Sequence, residues 1–197
     1  MMQRPLLNEI DVEREIILEE MLDEVDADGR DIDADNLAKR VCYGGHSLAF
    51  KIAGTRETVK ALTIDAVRTH HARHYHAGNL VLAIAGAVDE TQALELAARH
   101  LGDMRGGELT PDEPAPPWPS ASHFELVKHE DAQLEFNLAF PCPPESHPDY
   151  AAQLCIRRLL DDGLSSRLPF EVVEKRGLAY ALHAGMDTFV DAGMFEI

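Results

Sequence analysis

The chain has 197 residues, enough to build a packed core in one medium domain or two small ones. Its composition, 45% hydrophobic and 27% charged, excludes collagen-like and low-complexity classes. The formal net charge of -17 repels phosphate backbones and anionic lipids, so we expect no nucleic-acid partner and no membrane partner. Cys42, Cys142 and Cys155 lie far apart without C-x-x-C spacing, which favours reduced thiols.

Helical periodicity predicts most of the first half of the chain. Apolar residues recur at helical spacing over 8–25, and a second helix is predicted over 33–42 before a Gly-Gly pair. Thr63 opens a helix that extends to residue 75, and Asp89 opens another over 89–102. Between these helices, the continuous apolar run 80–85 is bounded by turn residues, which predicts a buried strand.

Residues 103–122 differ in composition from the segments around them. They include a Gly-Gly pair and five prolines, which favour extended backbone without ladder hydrogen bonds, and we interpret them as an interdomain linker. Beyond the linker, the patterns predict strands at 124–129, 133–140, 178–183 and 194–197, and helices at 149–162 and 165–175. The expected result is helices packed on a sheet.

The longest apolar run is too short to cross a bilayer, and the first residues lack the apolar segment of a secretory signal. We therefore expect a cytoplasmic protein. The last residues have the pattern of a strand interrupted in mid-course, and the first helix begins almost at Met1, so we expect both ends to be truncated.

Four glutamates fall near one face of the first predicted helix: Glu9, Glu13, Glu20 and Glu24. Spacing alone leaves two interpretations open. One is a solvated acidic face. The other is a carboxylate ligand to zinc with a second acid behind it.

Histidines cluster at the end of the helix that Thr63 opens: His70, His71, His74 and His76. His70 and His74 lie one helical turn apart and could share a zinc or nickel ion. The alternative is a structural role, because the negative end of a helix favours histidine. The sequence contains no H-E-x-x-H, H-x-x-E-H, G-x-S-x-G, P-loop or G-x-G-x-x-G motif. Cys42 and Cys155 fall on apolar helix faces, which predicts core packing.

Several motifs follow one another along the chain. Residues 13–20 are E-R-E-I-I-L-E-E, residues 44–55 include G-G-H-S-L and G-T, and residues 79–89 are N-L-V-L-A-I-A-G-A-V-D. In the second half come G-L-S-S-R-L at 163–168 and E-K-R-G-L-A-Y at 174–180. In order and spacing, these segments together resemble the pitrilysin/insulinase family of zinc peptidases, which includes the mitochondrial processing peptidases and carries an inverted H-x-x-E-H motif.

The resemblance implies an α+β fold made of two-layer sheet-and-helix domains, with parts of two homologous domains in this chain. Residues 1–102 correspond to the C-terminal part of the first, zinc-side domain, 103–122 to the Pro-rich linker, and 123–197 to the N-terminal part of the second domain. The H-x-x-E-H segment is expected upstream, so the chain alone is expected to be inactive.

The resemblance also implies the roles of particular residues. By position, Glu20 is the third zinc ligand and Glu13 is the supporting acid. Tyr180 stands at the position of a substrate-binding tyrosine. Val173 occupies the place of the arginine that accompanies this tyrosine in the family, and Arg176 is interpreted as structural.

The implied function is that of a fragment of a zinc metalloendopeptidase, which hydrolyses peptide bonds with a metal-activated water. Its substrate would be a peptide or an unfolded protein, and a homologous subunit could be its partner. The alternative is a non-catalytic partner or scaffold subunit of a heteromeric peptidase of the same family, which Val173 favours. A metal-binding module built on the histidine cluster is a third interpretation. An upstream H-x-x-E-H would favour the enzyme.

Overall fold

A computed structural model describes residues 5, 7–109, 111, 113–128, 130 and 133–197. The α-helices in this part of the chain are α1 (Ile10–Glu20), α2 (Ala34–Tyr43), α3 (Arg56–Ala61), α4 (Ile64–His74), α5 (Glu90–Leu101) and α6 (Tyr150–Leu160). Short 3-10 turns cover Met21–Glu24, Ser47–Ala49 and Ala77–Asn79. The strands are β1 (Ala139–Pro141), β2 (Gly185–Thr188) and β3 (Gly193–Glu196).

Local capping defines where four of these helices begin. Asp33, Thr55, Thr63 and Asp89 each accept a hydrogen bond from the backbone N–H three residues further on, which satisfies a donor that the first helical turn leaves free. At Thr55 the bond is reciprocal, because Thr58 also accepts from the Thr55 backbone N–H. The predicted helices over 33–42, 63–75 and 89–102 are therefore confirmed, as is the one over 149–162.

The chain divides into two compact units. The first comprises 1–20 and 55–113, and the second comprises 21–54 and 114–197. The break after residue 113 falls inside the predicted linker, of which residues 110 and 112 lie outside the described part. The domain limits inferred from the sequence stay a prediction. The start of the first domain is part of that prediction, since residues 1–4 and 6 lie outside the described residues.

In the first unit, α1 packs against α3. Leu18 of α1 and Val59 of α3 are buried, with 8% and 7% of their surfaces exposed. The Arg14 guanidinium of α1 donates to the carbonyl oxygens of Val59, at 3.2 Å, and Leu62, at 2.7 Å, which end α3. These bonds fix the orientation of α1, the helix that carries Glu13 and Glu20.

In the second unit, the three strands form an antiparallel sheet in the order β1-β3-β2. The register places Phe195 of β3 opposite Phe140 of β1 and Met186 of β2. Its neighbour Met194 is fully buried and forms a core with Cys42 and Tyr43. The Tyr43 ring meets Trp118 and Phe189 edge to face, with centroids 6.2 and 6.4 Å apart.

Three strand predictions are wrong. Residues 80–85 form no strand, and 81–85 are exposed, Val81 by 92% and Leu82 by 53% of their surfaces. Residues 124–128 form none either, while residue 129 lies outside the described part. The strand predicted over 178–183 lies at Gly185–Thr188 instead, where β3 supplies a partner. A strand requires a neighbour, and the described residues offer none to these segments.

Two other elements keep their type but change their extent. The strand predicted over 133–140 is confined to Ala139–Pro141, the residues that face β3. The helix predicted over 165–175 takes π geometry over Pro169–Glu174, where the Lys175 N–H donates to the Phe170 carbonyl five residues back. Gly177, at a φ of 57°, follows this turn in the left-handed region that favours glycine. The strand predicted over 194–197 is confirmed by β3.

Among the described residues, no helix combines the length and the apolar character that a bilayer span requires. The cysteines are free thiols. Cys42 is buried in the core, as predicted, and burial raises the pKa of its thiol. Cys155 is exposed, so its predicted core role is wrong. Leu154, Ile156 and Leu159 of the same helix are also exposed.

Candidate functional site

Helix α1 presents Glu13 and Glu20 to solvent. Both residues are exposed, while Leu18 and Met21 beside them are buried. Glu13 and Glu20 are seven residues apart, which places them on the same side of the helix but about 10 Å apart along its axis. Because zinc binds carboxylate oxygen at about 2 Å, one ion fits one of these carboxylates. A supporting role for Glu13 would therefore act on another ligand and not on the metal.

Glu20 is the last residue of α1, and the last turn of this helix carries no basic side chain. Helix C-termini bear partial negative charge, so a carboxylate there is unfavourable and a cation beside it is favourable. The charge of Glu20 therefore opposes local helix stability. The Arg56 guanidinium donates to the Leu18 carbonyl at 3.4 Å, so one cation already lies beside this end of the helix, and the role of Glu20 as a metal ligand stays a prediction.

Glu24 leaves the acidic face that the helical spacing predicts. The chain turns into 3-10 geometry over Met21–Glu24, and the Glu24 carboxylate accepts a hydrogen bond from Lys51 Nζ at 3.0 Å. Lys51 also pairs with Asp31. Partial burial works against the charge of Lys51, but the hydrogen bonds to Asp31 and Glu24 outweigh it and raise the pKa of the ammonium. Glu24 thus has a structural partner, and the four-glutamate face is not formed.

The residues present do not complete a zinc site. Catalytic zinc takes three protein ligands, and the described residues contain no group of three or more His, Cys, Asp or Glu arranged to hold a metal ion. Glu20 alone supplies one carboxylate. No catalytic step through zinc can be derived from this set of donors.

Tyr180 lies in an irregular segment after the π-helical turn and is 94% exposed. Val173 is half-buried within that turn, and its carbonyl accepts from the Gly177 N–H at 2.9 Å. Arg176 lies 3.9 Å from the Glu171 carboxylate, which also binds Lys175 at 2.6 Å. The hydrogen bond from Lys175 lowers the pKa of Glu171. Arg176 is thus an exposed side chain beside the Glu171 and Lys175 ion pair, and its structural role stays a prediction.

The histidine cluster separates into three environments. The His70 and His74 rings lie side by side, with centroids 4.4 Å apart, and His71 stacks on Tyr75 at 4.5 Å. His76 is buried, with 3% of its surface exposed, and packs against Gly107. Desolvation, followed by the charge of His70, lowers the pKa of His74.

One polar cluster has no counterpart in the sequence predictions. In the second unit, the Asn137 amide donates to Asp35 at 2.9 Å and to Glu196 at 3.1 Å, and Lys39 pairs with Asp187 at 2.8 Å. Burial, and then the charges of Asp35 and Asp187, raise the pKa of Glu196 against the hydrogen bond from Asn137. No local pattern signals this cluster, because its members come from separate parts of the chain.

The sequence profile described as "Peptidase M16 inactive domain" matches residues 61–197. An uncharacterized zinc protease of Mycobacterium leprae is 30% identical over 202 residues, covering 98% of this chain and 44% of that protein. Subunit 1 of the mitochondrial cytochrome b-c1 complex of Bos taurus is 33% identical over 150 residues, covering 74% of this chain and 30% of that protein.

The fold also matches that of a solved protein. The crystal structure of a peptidase M16 inactive domain from Pseudomonas fluorescens aligns with a TM-score of 0.80 at 24% identity, covering 99% of this chain and 47% of that one. This likeness confirms the α+β fold class. The chain spans less than half the length of all three proteins. The resemblance carried by the sequence motifs is confirmed as well, and the chain belongs to the peptidase M16 family.

Proposed function

We propose that this chain forms part of a zinc-dependent metallopeptidase, in which Glu20 supplies one carboxylate ligand to the metal. The name of the Mycobacterium leprae relative, a zinc protease, supports zinc and peptide-bond hydrolysis as the chemistry. The remaining metal ligands would come from outside the described residues. A peptide or an unfolded protein is the substrate class that this chemistry requires.

The position of Glu20 is the observation that carries the proposal. The helix that holds it is fixed by the two carbonyl bonds of Arg14, so the carboxylate projects from a rigid element. Glu20 is exposed, lies at the negative end of α1, and has the place of the third zinc ligand in the family motif. Glu13, two turns earlier, is proposed to act on another ligand of the same metal.

The test compares Glu20→Gln with Glu19→Gln in the longest form of the protein that carries this chain, with and without a chelator. An amide is a poorer zinc ligand than a carboxylate, so Glu20→Gln should abolish chelator-sensitive cleavage of a quenched fluorescent peptide library. Glu19 is also exposed and lies next to Glu20 in the last turn, so Glu19→Gln changes the same charge without removing the proposed ligand. Hydrolysis that survives Glu20→Gln, or that ignores the chelator, would remove Glu20 from the mechanism.

A non-catalytic partner or scaffold subunit is the second candidate, and Val173 favours it. Val173 replaces the arginine that the family motif pairs with Tyr180, so a charge-assisted donor worth about 1.5 to 3 kcal/mol is missing there. The match to a domain described as inactive, and to a relative named as a subunit of a complex, supports the same candidate.

Val173→Arg separates the two candidates. If the protein is an enzyme, a guanidinium at this position adds a donor to the bound substrate, so hydrolysis by the same library assay should not fall and is expected to rise. If the protein is a scaffold, neither the parent nor the variant hydrolyses peptides alone, and activity depends on a co-purifying homologue.

A further inference from the structure

Two histidines share one face at the end of α4. His70 and His74 are four residues apart, and their ring centroids are separated by 4.4 Å with a tilt of 35°. Side chains one helical turn apart are neighbours on a helix surface, and imidazoles at this separation can turn their nitrogens toward one ion. His71 instead stacks on Tyr75, with an angle of 15° between the rings.

The backbone that carries the pair is held in place. The Asn79 amide donates to the His74 carbonyl at 3.1 Å, and the Arg105 guanidinium donates to the Ala72 carbonyl. The Tyr75 N–H closes the last turn on the His71 carbonyl at 2.9 Å. The helix therefore keeps regular geometry through His74, which fixes the backbone positions of His70 and His74 relative to each other.

The electrostatic setting of the pair combines charges of both signs. His74 lies in the last turn of α4, where the partial charge of the helix is negative, and His70 lies one turn before it. The net charge of -17 raises the local concentration of cations around the chain. Arg73 in the same turn and Arg105, whose guanidinium donates to the Ala72 carbonyl, oppose a cation. Arg68 is paired with Asp65 at 3.1 Å.

We propose that His70 and His74 form a binding site for one late divalent transition-metal ion, such as Ni²⁺, Cu²⁺ or Zn²⁺, with water completing the coordination. Imidazole nitrogen suits these borderline ions and not Mg²⁺ or Ca²⁺. With two protein ligands the site is exchangeable, unlike a structural zinc site with four. It is separate from the zinc ligand proposed at Glu20 and does not depend on that proposal.

The experiment titrates the metal-free chain with NiCl₂ by isothermal calorimetry. We expect one saturable site, which His70→Ala and His74→Ala each weaken at least about tenfold. His71→Ala removes an imidazole from the same turn and should leave the affinity unchanged. Glu20→Gln should also leave it unchanged, which keeps the outcome distinct from that of the proposed peptidase site. Cu²⁺ should bind more tightly than Ni²⁺.

An alanine substitution that disturbs the helix would weaken binding without identifying a ligand. A second measurement therefore uses the parent chain, without any substitution. Paramagnetic Ni²⁺ at substoichiometric concentration should broaden the imidazole proton resonances of His70 and His74 first among the ten histidines. Equal broadening of all ten, or equal weakening by His71→Ala and His74→Ala, would mean nonspecific binding and overturn the proposal. Loss of the site in Glu20→Gln would overturn it as well.

Discussion

Single residues show most directly where burial and charge conflict. Glu196 lies at the end of β3 with Asp35 and Asp187 near its carboxylate, and its favourable contacts are the Asn137 amide and the charge of Lys39. Burial removes water from this carboxylate, so its charged form is disfavoured and its pKa rises above the ordinary value of 4.5. The folded state therefore binds this proton more tightly than the unfolded state does.

This difference gives the sign of a pH dependence. As the pH rises from 4.5 through the raised pKa of Glu196, the unfolded state loses the proton first, so the contribution of this group to the free energy of unfolding falls. Glu196→Gln keeps an acceptor for Asn137 and removes the charge. We expect this variant to be more stable than the parent at about pH 7 and to lose that advantage below the ordinary pKa.

Urea denaturation of parent and variant at both pH values measures the effect. Glu135→Gln is the matched control, because Glu135 is exposed on the same segment as Asn137. The control should show no pH-dependent gain. A Glu196→Gln variant that is less stable than the parent at neutral pH would mean that the attraction to Lys39 outweighs burial.

At the scale of elements, the contact between α1 and α3 determines how the candidate site is presented. The apolar part of this contact is small, with Leu18 and Val59 as its buried members. Arg14, whose side chain is 20% exposed, adds two hydrogen bonds to carbonyl oxygens at the end of α3. The Val59 carbonyl also accepts from the Leu62 N–H at 3.3 Å, so Arg14 adds to the bond that closes this end of α3.

Arg14→Ala should lower the free energy of unfolding of the first unit by about 2 kcal/mol, because hydrogen bonds from a charged donor are lost. Arg14→Lys should restore part of this, since one ammonium cannot reproduce the two donors of a guanidinium fork. Chemical denaturation followed by circular dichroism measures both. Arg68→Ala breaks an exposed ion pair with Asp65 and should cost less than about 1 kcal/mol. Equal losses for Arg14→Ala and Arg68→Ala would contradict the anchoring role.

At the scale of the whole molecule, two connecting stretches lack regular structure. Residues 80–88 form no strand, and all of them except the half-buried Leu80 are exposed. The described residues between 105 and 128 form neither helix nor strand. Helix α5 lies between these stretches and is capped at Asp89. Proteases cut backbone that is exposed and without ladder or helix hydrogen bonds.

Limited digestion with proteinase K, followed by mass spectrometry, should therefore give early cuts both within 81–87 and within 106–119. The helical residues of α5 should be spared. The digestion tests whether residues 80–85 lack regular structure, because a central strand would resist cleavage. Cuts confined to 106–119 would indicate that 80–85 is protected in solution.

What the sequence determined by itself is local. Helix starts at Asp33, Thr55, Thr63 and Asp89 follow from side chains that bond to the backbone three residues on, so a short window contains all the information. The family was predictable because several short motifs keep their order and spacing along the chain, from residues 13–20 to 174–180. The role of Glu20 as a zinc ligand stays a prediction.

The tertiary structure decided what depends on a distant partner. The apolar run 80–85 has the composition of a strand but no neighbour among the described residues, while Gly185–Thr188 becomes a strand because β3 lies beside it. Glu24 lies beyond the end of α1 and binds Lys51, 27 positions away, and Glu196 meets Asn137 across 59 positions of sequence. These contacts join residues that are far apart in sequence and close together only in the folded chain. A short stretch of sequence therefore does not predict them.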